Sequence, residues 1–382
     1  MANGGNSTQR IVWAWNSSSD PWSESAASQW TPYSDVESLI VEESFSDKKS
    51  IVILDGYYID LESELQISTA DINKQRPVRR IIQNNEERRY REERFLPDPI
   101  APKSLTGREY ESISPFIVEV RRVLNLKREQ FPSSSDTSSI PIFVENAVAG
   151  IIAEGLSIGM PLEAEKLAEI LLKKKNKGIE EIWACCAYLY SMESFLYKKL
   201  NTVMRQIGSD SHEQVWREKA CTLGPFCLLL WDSPFDSTVE TNKTLYRAAK
   251  LTNEQIETYR NLAENPDERR SFQAFTSCTR NRSIAESFPG TNVIFIIDLL
   301  SAFSIDLQPV SLYPEEEEEL ISPGVSFTVK SVTVDRGKNK FLISLKLDDN
   351  PSNNNEATAA ENVIADHNDN CSLSITDFLT VN

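Results

Sequence analysis

Between residues 10 and 84, hydrophobic and polar positions alternate in short runs, as in 50–59 (SIVILDGYYI). A period of two turns one face of an extended chain inward, so these runs predict strands. A helical stretch at 35–44 interrupts them. Residues 85–114 open with the charge cluster NEERRYREER and continue with three prolines, which predicts a linker entered by a short helix. From 115 to 347 the pattern is helical first and then mostly stranded. Apolar residues recur at three and four over 142–154, 161–174 and 178–207. Pro161 suits the first turn of the second of these, with Leu162, Ala164, Leu167, Ile170 and Leu171 as its buried stripe. Further on come LYRAA, a helix over 252–262, FQAFTSC, a short helix over 283–288, NVIFIIDL, VSFTVKSVTVD and KFLISLKL. The last two predict an antiparallel pair turning at Arg336-Gly337-Lys338-Asn339.

Composition narrows the chemistry. At 382 residues the chain has room for two or three domains of ~100–200 residues each. Forty Lys and Arg against 57 Asp and Glu give a net charge of −17, which argues against direct nucleic-acid binding. With two histidines, His212 and His367, far apart, neither a His-based zinc site nor a Ser–His–Asp hydrolase is expected. The six cysteines form no C-x-x-C pair, so no metal ligand set is expected either. No secretory signal is seen, and the apolar run at 293–300 is broken by Asp298, far short of a membrane helix. The expectation is a soluble intracellular protein, cytoplasmic or nuclear, with reduced thiols and no membrane partner. After Lys346 no Lys or Arg remains while acids accumulate, so 349–382 is expected to be a disordered acidic tail.

Three segments gain meaning only together. Thr244-Leu-Tyr-Arg247-Ala puts an arginine on a strand, by itself an ordinary strand-edge residue. Phe272-Gln-Ala-Phe275-Thr-Ser277-Cys-Thr279 is a strand with small hydroxyls at its polar end. Tyr313-Pro-Glu-Glu-Glu-Glu-Glu319 runs into Leu320-Ile321 and a Pro323-Gly324 turn. Five consecutive glutamates usually form a solvated patch. In an extended backbone, however, Glu316 and Glu318 would share one face, and Glu315, Glu317 and Glu319 the other. Two such carboxylates raise each other's proton affinity.

In this order the segments resemble the arginine–serine–glutamate set of the arginine-specific mono-ADP-ribosyltransferases, over about 115–347. The upstream LYSMESFLYKKLN resembles that family's helical lobe. The resemblance implies an α+β fold, a helical lobe with two packed, mainly antiparallel sheets, and NAD as substrate rather than bound cofactor. It implies that Glu318 stabilises the ribosyl cation, Arg247 holds the pyrophosphate, Ser277 fixes Glu318 and the nicotinamide ribose, and Glu316 receives the acceptor guanidinium. Two departures stand out: the usual Ser-Thr-Ser is Ser277-Cys278-Thr279, and the commonly apolar position after the catalytic glutamate is Glu319. Counting back from Ser322-Pro323-Gly324 selects Glu316/Glu318, with Glu317/Glu319 as the alternative. No glycine-rich dinucleotide fingerprint is present, as suits NAD consumed as a substrate.

The N-terminal part offers Val-Trp-Ala-Trp15, Trp30-x-x-Tyr33, Glu42, Tyr57-Tyr-Ile-Asp60, Gln66 and Arg76-Pro-Val-Arg-Arg80. Tryptophans in a small domain are ordinarily core, and Trp15 reads so. The set nevertheless resembles a WWE domain, a half-barrel of strands on one helix, many members of which bind the iso-ADP-ribose unit of poly(ADP-ribose). Trp30, Tyr57, Gln66 and Arg76 match the ligand-contacting positions, while a frequent methionine is Glu64 here. Some members contact only proteins. The expected organisation is a WWE-like domain at 8–84, a linker at 85–114, a transferase domain at 115–348 and a tail at 349–382. The expected activity is transfer of ADP-ribose from NAD to arginines of acceptor proteins. The alternatives are an NAD glycohydrolase and a non-catalytic poly(ADP-ribose)-binding adaptor.

Overall fold

Helix α1 (Asp35–Ser46) starts at Ser34, whose hydroxyl accepts from the Glu37 amide while the Glu37 carboxylate accepts from the Ser34 amide. This capping box satisfies two otherwise orphaned donors. Around the helix runs a six-stranded antiparallel sheet, ordered β2-β1-β6-β5-β4-β3. Its strands are β1 (Arg10–Asn16), β2 (Trp30–Pro32), β3 (Ile51–Leu54), β4 (Tyr57–Asp60), β5 (Leu65–Ser68) and β6 (Gln75–Gln83). The alternating run 50–59 is two strands, because Gly56 takes φ +84° and turns the chain. Trp13, Tyr33, Val41, Val52, Leu54, Ile59 and Val78 close a small core. Glu42 ties helix to sheet, accepting the Trp13 indole N–H at 2.9 Å and two Arg80 N–H groups at 2.8 Å.

The computed structural model describes residues 10–23, 28–83, 90–91, 94, 113–126, 132, 139–234, 242–299 and 304–347. The expected tail at 349–382, and most of the expected linker, lie outside the described residues.

The helical lobe comprises α2 (Pro115–Val123), α3 (Ile140–Ser157), α4 (Pro161–Leu172), α5 (Ile179–Ser191), α6 (Phe195–Met204), α7 (Glu213–Lys219) and α8 (Gly224–Trp231). One apolar cluster runs through all seven, including Phe116, Val144, Leu167, Leu189, Leu200, Trp216 and Leu229. The sequence pattern predicted a single helix over 178–207, whereas the chain breaks at Met192–Ser194. The cause is remote in sequence. Asp35 donates its amide to the Glu193 carbonyl at 3.1 Å and accepts the Glu193 amide on its carboxylate at 2.6 Å.

The remaining strands form an eight-stranded sheet, ordered β11-β12-β9-β7-β10-β14-β13-β8. They are β7 (Lys243–Ala249), β8 (Arg270–Ser271), β9 (Thr276–Thr279), β10 (Val293–Leu299), β11 (Ser304–Asp306), β12 (Glu318–Ile321), β13 (Ser326–Asp335) and β14 (Lys340–Leu347). Helices α9 (Asn253–Glu264) and α10 (Arg282–Ser287) lie between strands. Among the described residues only β10 and β14 pair in parallel, and β13 and β14 form the expected hairpin, with Asp335 opposite Lys340. The β11-β12-β9 group joins the rest through one bridge, Tyr246 to Thr279, so the sheet folds over as two halves. Cys278 and Ile321 pack inward with Leu245, Phe295 and Leu345, while Leu320 and Phe275 face the helical lobe. Residues of β9 and β12 thus lie between helices and sheet, and their polar ends define the site.

Candidate active site

Strands β9 and β12 pair with Glu318 opposite Thr279 and Leu320 opposite Ser277. Alternation puts Ser277, Thr279, Glu318 and Leu320 on the face toward the helical lobe. Glu319 points the other way and is neutralised by Lys243 at 2.7 Å, Arg280 at 3.0 Å and the Ser304 hydroxyl at 2.9 Å. Glu317 is half-buried, and one of its carboxylate oxygens accepts from the Asn281 amide at 3.3 Å. The structure therefore does not bring Glu317 and Glu319 together.

Glu316 and Glu318 do converge, though not through the extended backbone expected from the sequence. Glu316 ends a 3-10 turn (Pro314–Glu316), and Glu317 takes a left-handed φ of +47° before β12 begins. A left-handed non-glycine residue is costly and must be held in place by its surroundings. Here the Thr279 hydroxyl donates to the Glu316 carbonyl at 2.8 Å and the Arg280 amide to the Glu317 carbonyl at 3.2 Å. The turn replaces strand alternation as the device that aligns the two carboxylates.

Both carboxylates are fully buried, and both are met by arginines from the segment after β6. Arg91 donates from Nε to both Glu316 oxygens at 3.2 and 3.1 Å, from Nη2 at 2.5 Å, and from its backbone amide at 2.9 Å. Its Nη2 also reaches Glu318 at 3.4 Å, its Nη1 donates to the Ser191 carbonyl, and its guanidinium lies 3.7 Å from the Tyr313 ring centre. Arg94 donates from Nε to both Glu318 oxygens at 2.7 and 2.9 Å and from Nη1 to the Tyr190 carbonyl at 3.0 Å. The Tyr190 and Tyr197 rings flank it at 4.6 and 4.7 Å. Burial raises the proton affinity of Glu316 and Arg91 opposes that rise, while the Glu318 charge adds to it.

Arg247 stands on β7 opposite Phe295 and is 2% exposed, with Nη1 donating to the Ser277 carbonyl. Burial holds its proton affinity below the ordinary arginine value. Ser277 is buried between this guanidinium and β12. All four residues of the expected set thus border one place. Sequence reasoning missed Arg91, Arg94 and Tyr313. Their only trace was a charge cluster and an aromatic preceding the glutamates.

In the N-terminal sheet, Arg76 stands opposite Gln66, and Gln66 opposite Ile59, two residues from Tyr57. These three of the expected ligand residues share one face. Gln66 accepts the Tyr33 hydroxyl at 2.6 Å, Tyr57 donates to Glu37, and Arg76 donates to the Asn16 and Ser18 carbonyls at 2.8 and 2.9 Å. Trp30 is apart from them. It lies under Arg79 at 4.1 Å, and Arg79 alternates with Arg76 across the sheet. The aromatic beside Arg76 is Trp15, half-buried on the core with its ring 5.3 Å from the guanidinium.

Residues 11–80 match the family model of the WWE domain, and residues 174–352 match that of NAD:arginine ADP-ribosyltransferase. Among solved structures, the chain is similar to the ADP-ribosyltransferase HopU1 of Pseudomonas syringae pv. Tomato, at 20% identity over 48% of this chain and 87% of that one, TM-score 0.36. It is similar to the type III effector XopAI of Xanthomonas axonopodis pv. citri, at 12% identity over 66% and 96%, TM-score 0.41. Exoenzyme S of Pseudomonas aeruginosa, bound to carba-NAD, is 17% identical over 62% and 98%, TM-score 0.32. No curated protein matches the chain.

Proposed function

Because the chain carries a WWE domain and, beyond it, an NAD-dependent ADP-ribosyltransferase domain, we infer that it transfers ADP-ribose from NAD to arginine side chains. The observation that carries this reading is a pair of fully buried carboxylates converging on a guanidinium. Such a pair suits a reaction in which the C1′–N bond to nicotinamide breaks and its electron pair leaves with the ring. Positive charge then develops on the ribose, and a carboxylate in a water-poor site stabilises it strongly. Glu318 takes this role. Glu316 binds the incoming guanidinium, whose nitrogen bonds to C1′, and helps carry away the proton it sheds. Ser277 fixes the nicotinamide ribose and Glu318, and Arg247 serves the pyrophosphate, as a planar guanidinium suits phosphate oxygens.

The WWE domain reads iso-ADP-ribose through Arg76, Gln66 and Tyr57, with Trp30 at the edge of the same sheet. The shared face of the first three supports this.

The test is incubation of the full chain with labelled NAD and agmatine, scoring label on agmatine against free ADP-ribose. Label on agmatine is the expected result. Free ADP-ribose alone would make the protein a glycohydrolase, and no NAD consumption would leave a poly(ADP-ribose)-binding adaptor.

A further inference from the structure

The groups assigned to the acceptor and the ribose are engaged by the chain itself. Arg91 lies eight positions after the end of β6 (83 to 91) in the sequence, so the site is met by a residue close behind the last strand of the N-terminal domain. Its guanidinium is held as a substrate guanidinium would be. It has two nitrogens on Glu316, a third on the Ser191 carbonyl, and the face of Tyr313 at 3.7 Å. Arg94 takes both oxygens of Glu318, the carboxylate that a ribose hydroxyl needs in the proposed reaction. It is 3% exposed and lies between two tyrosine rings, with Nη2 buried and unpartnered among the described residues. Two buried cations thus balance two buried anions, an arrangement that is stable only while all four stay together.

We propose that Arg91 and Arg94 are an internal ligand of the transferase site. Arg91 fills an acceptor-guanidinium position built by Tyr313, Glu316 and the Ser191 carbonyl, Arg94 covers Glu318, and the resting chain is thereby closed to substrate. This rests on the roles given above to Glu316 and Glu318. Tyr313 links the closure to the N-terminal domain, since Arg10 of β1 stacks on the same ring at 3.9 Å and donates to its hydroxyl at 2.6 Å. An arginine substrate and NAD must each displace one linker arginine, so apparent affinity for both falls to the intrinsic value multiplied by the fraction of chains that are open.

The experiment compares the full natural chain with R91Q/R94Q and with R94Q alone, the single change guarding against a double variant that does not fold. NAD binding is measured by calorimetry, and nicotinamide release is measured with agmatine present. The expected result is NAD binding tighter by about tenfold or more in both variants, as for an open fraction of a tenth or less, with faster nicotinamide release. A synthetic peptide of residues 88–96 should inhibit the opened chain competitively with agmatine, and the same peptide with both arginines changed to glutamine should not. Unchanged NAD binding in variants that melt normally, or no inhibition by the peptide, overturns the proposal. Failure of the catalytic reading looks different. In that case NAD binding still tightens, but adding Glu318→Gln to the opened chain leaves its turnover intact.

Discussion

At the residue scale, the five consecutive glutamates do not share one environment. Glu316 and Glu318 face arginines inside the site, while Glu319 sits among Lys243, Arg280 and Ser304 on the opposite face of β12. This separation makes distinct predictions. Glu316→Gln keeps size and hydrogen-bonding reach but loses the charge proposed to bind and deprotonate an acceptor guanidinium. It should lose agmatine modification while still releasing nicotinamide, because bond cleavage in NAD does not need the acceptor carboxylate. Equal loss of both activities would merge the roles of Glu316 and Glu318. Glu319→Gln should instead lower the melting temperature, since it leaves Lys243 and Arg280 short of a partner. Changed KM values in a normally melting Glu319→Gln protein would count against a purely structural role.

At the scale of elements, the same logic applies to the tie between α1 and its sheet. Glu42 is the shared acceptor of Trp13 and Arg80, so Glu42→Ala leaves a buried indole N–H without its partner. The cost should be about 1–3 kcal/mol, read as loss of the N-terminal domain's melting transition at lower temperature. An unchanged transition would show that the apolar core alone sets its stability. Helices such as α3 and α4, and the β13–β14 hairpin, were legible because their periodicity and turn residues are local properties. The break between α5 and α6 was not, since its cause is Asp35, 158 residues away in sequence. The backbone at Glu316 was misread as extended for a related reason. A run of identical charged residues has no apolar alternation to fix its register, so a tertiary anchor, the Thr279 hydroxyl, decides it. The R-x-x-R segment reads as a linker entered by a short helix because a charge cluster is usually solvated, and its carboxylate partners come from residues more than 200 positions later.

At the scale of the whole molecule, the two domains meet through polar groups of varied burial as well as apolar ones. Asp55 accepts the first amides of α4, from Leu162 and Glu163, at 3.0 and 3.1 Å, where the helix end favours a negative charge. Lys166 pairs with Glu43 at 2.5 Å, and Glu163 bonds the Ser34 hydroxyl and the Phe195 amide at 3.1 and 2.9 Å. Burial, with Glu37 and Asp55 nearby, pushes the Glu163 carboxyl up to about 7. The folded state therefore holds a proton that an unfolded glutamate sheds near its ordinary value of 4.5. Stability from this group is fully present below that value and is lost as pH rises toward 7, by up to about 3 kcal/mol. Glu163→Gln mimics the protonated form, so the stability difference between variant and natural chain should grow in the variant's favour between pH 5 and 7.5. A difference independent of pH in urea melts would show that Glu163 is ionised in the fold.

The proposed chemistry turns on one carboxylate. Nicotinamide release should be measured for Glu318→Gln in both the natural chain and the R91Q/R94Q chain, with melting curves to show that the fold is retained. The predicted result is a fall of ~10²–10³ in rate in each background, the loss typical when one stabiliser of developing charge is removed. Turnover within a few-fold of the parent, in a protein that melts normally, would contradict the assignment and with it the proposed chemistry of the site.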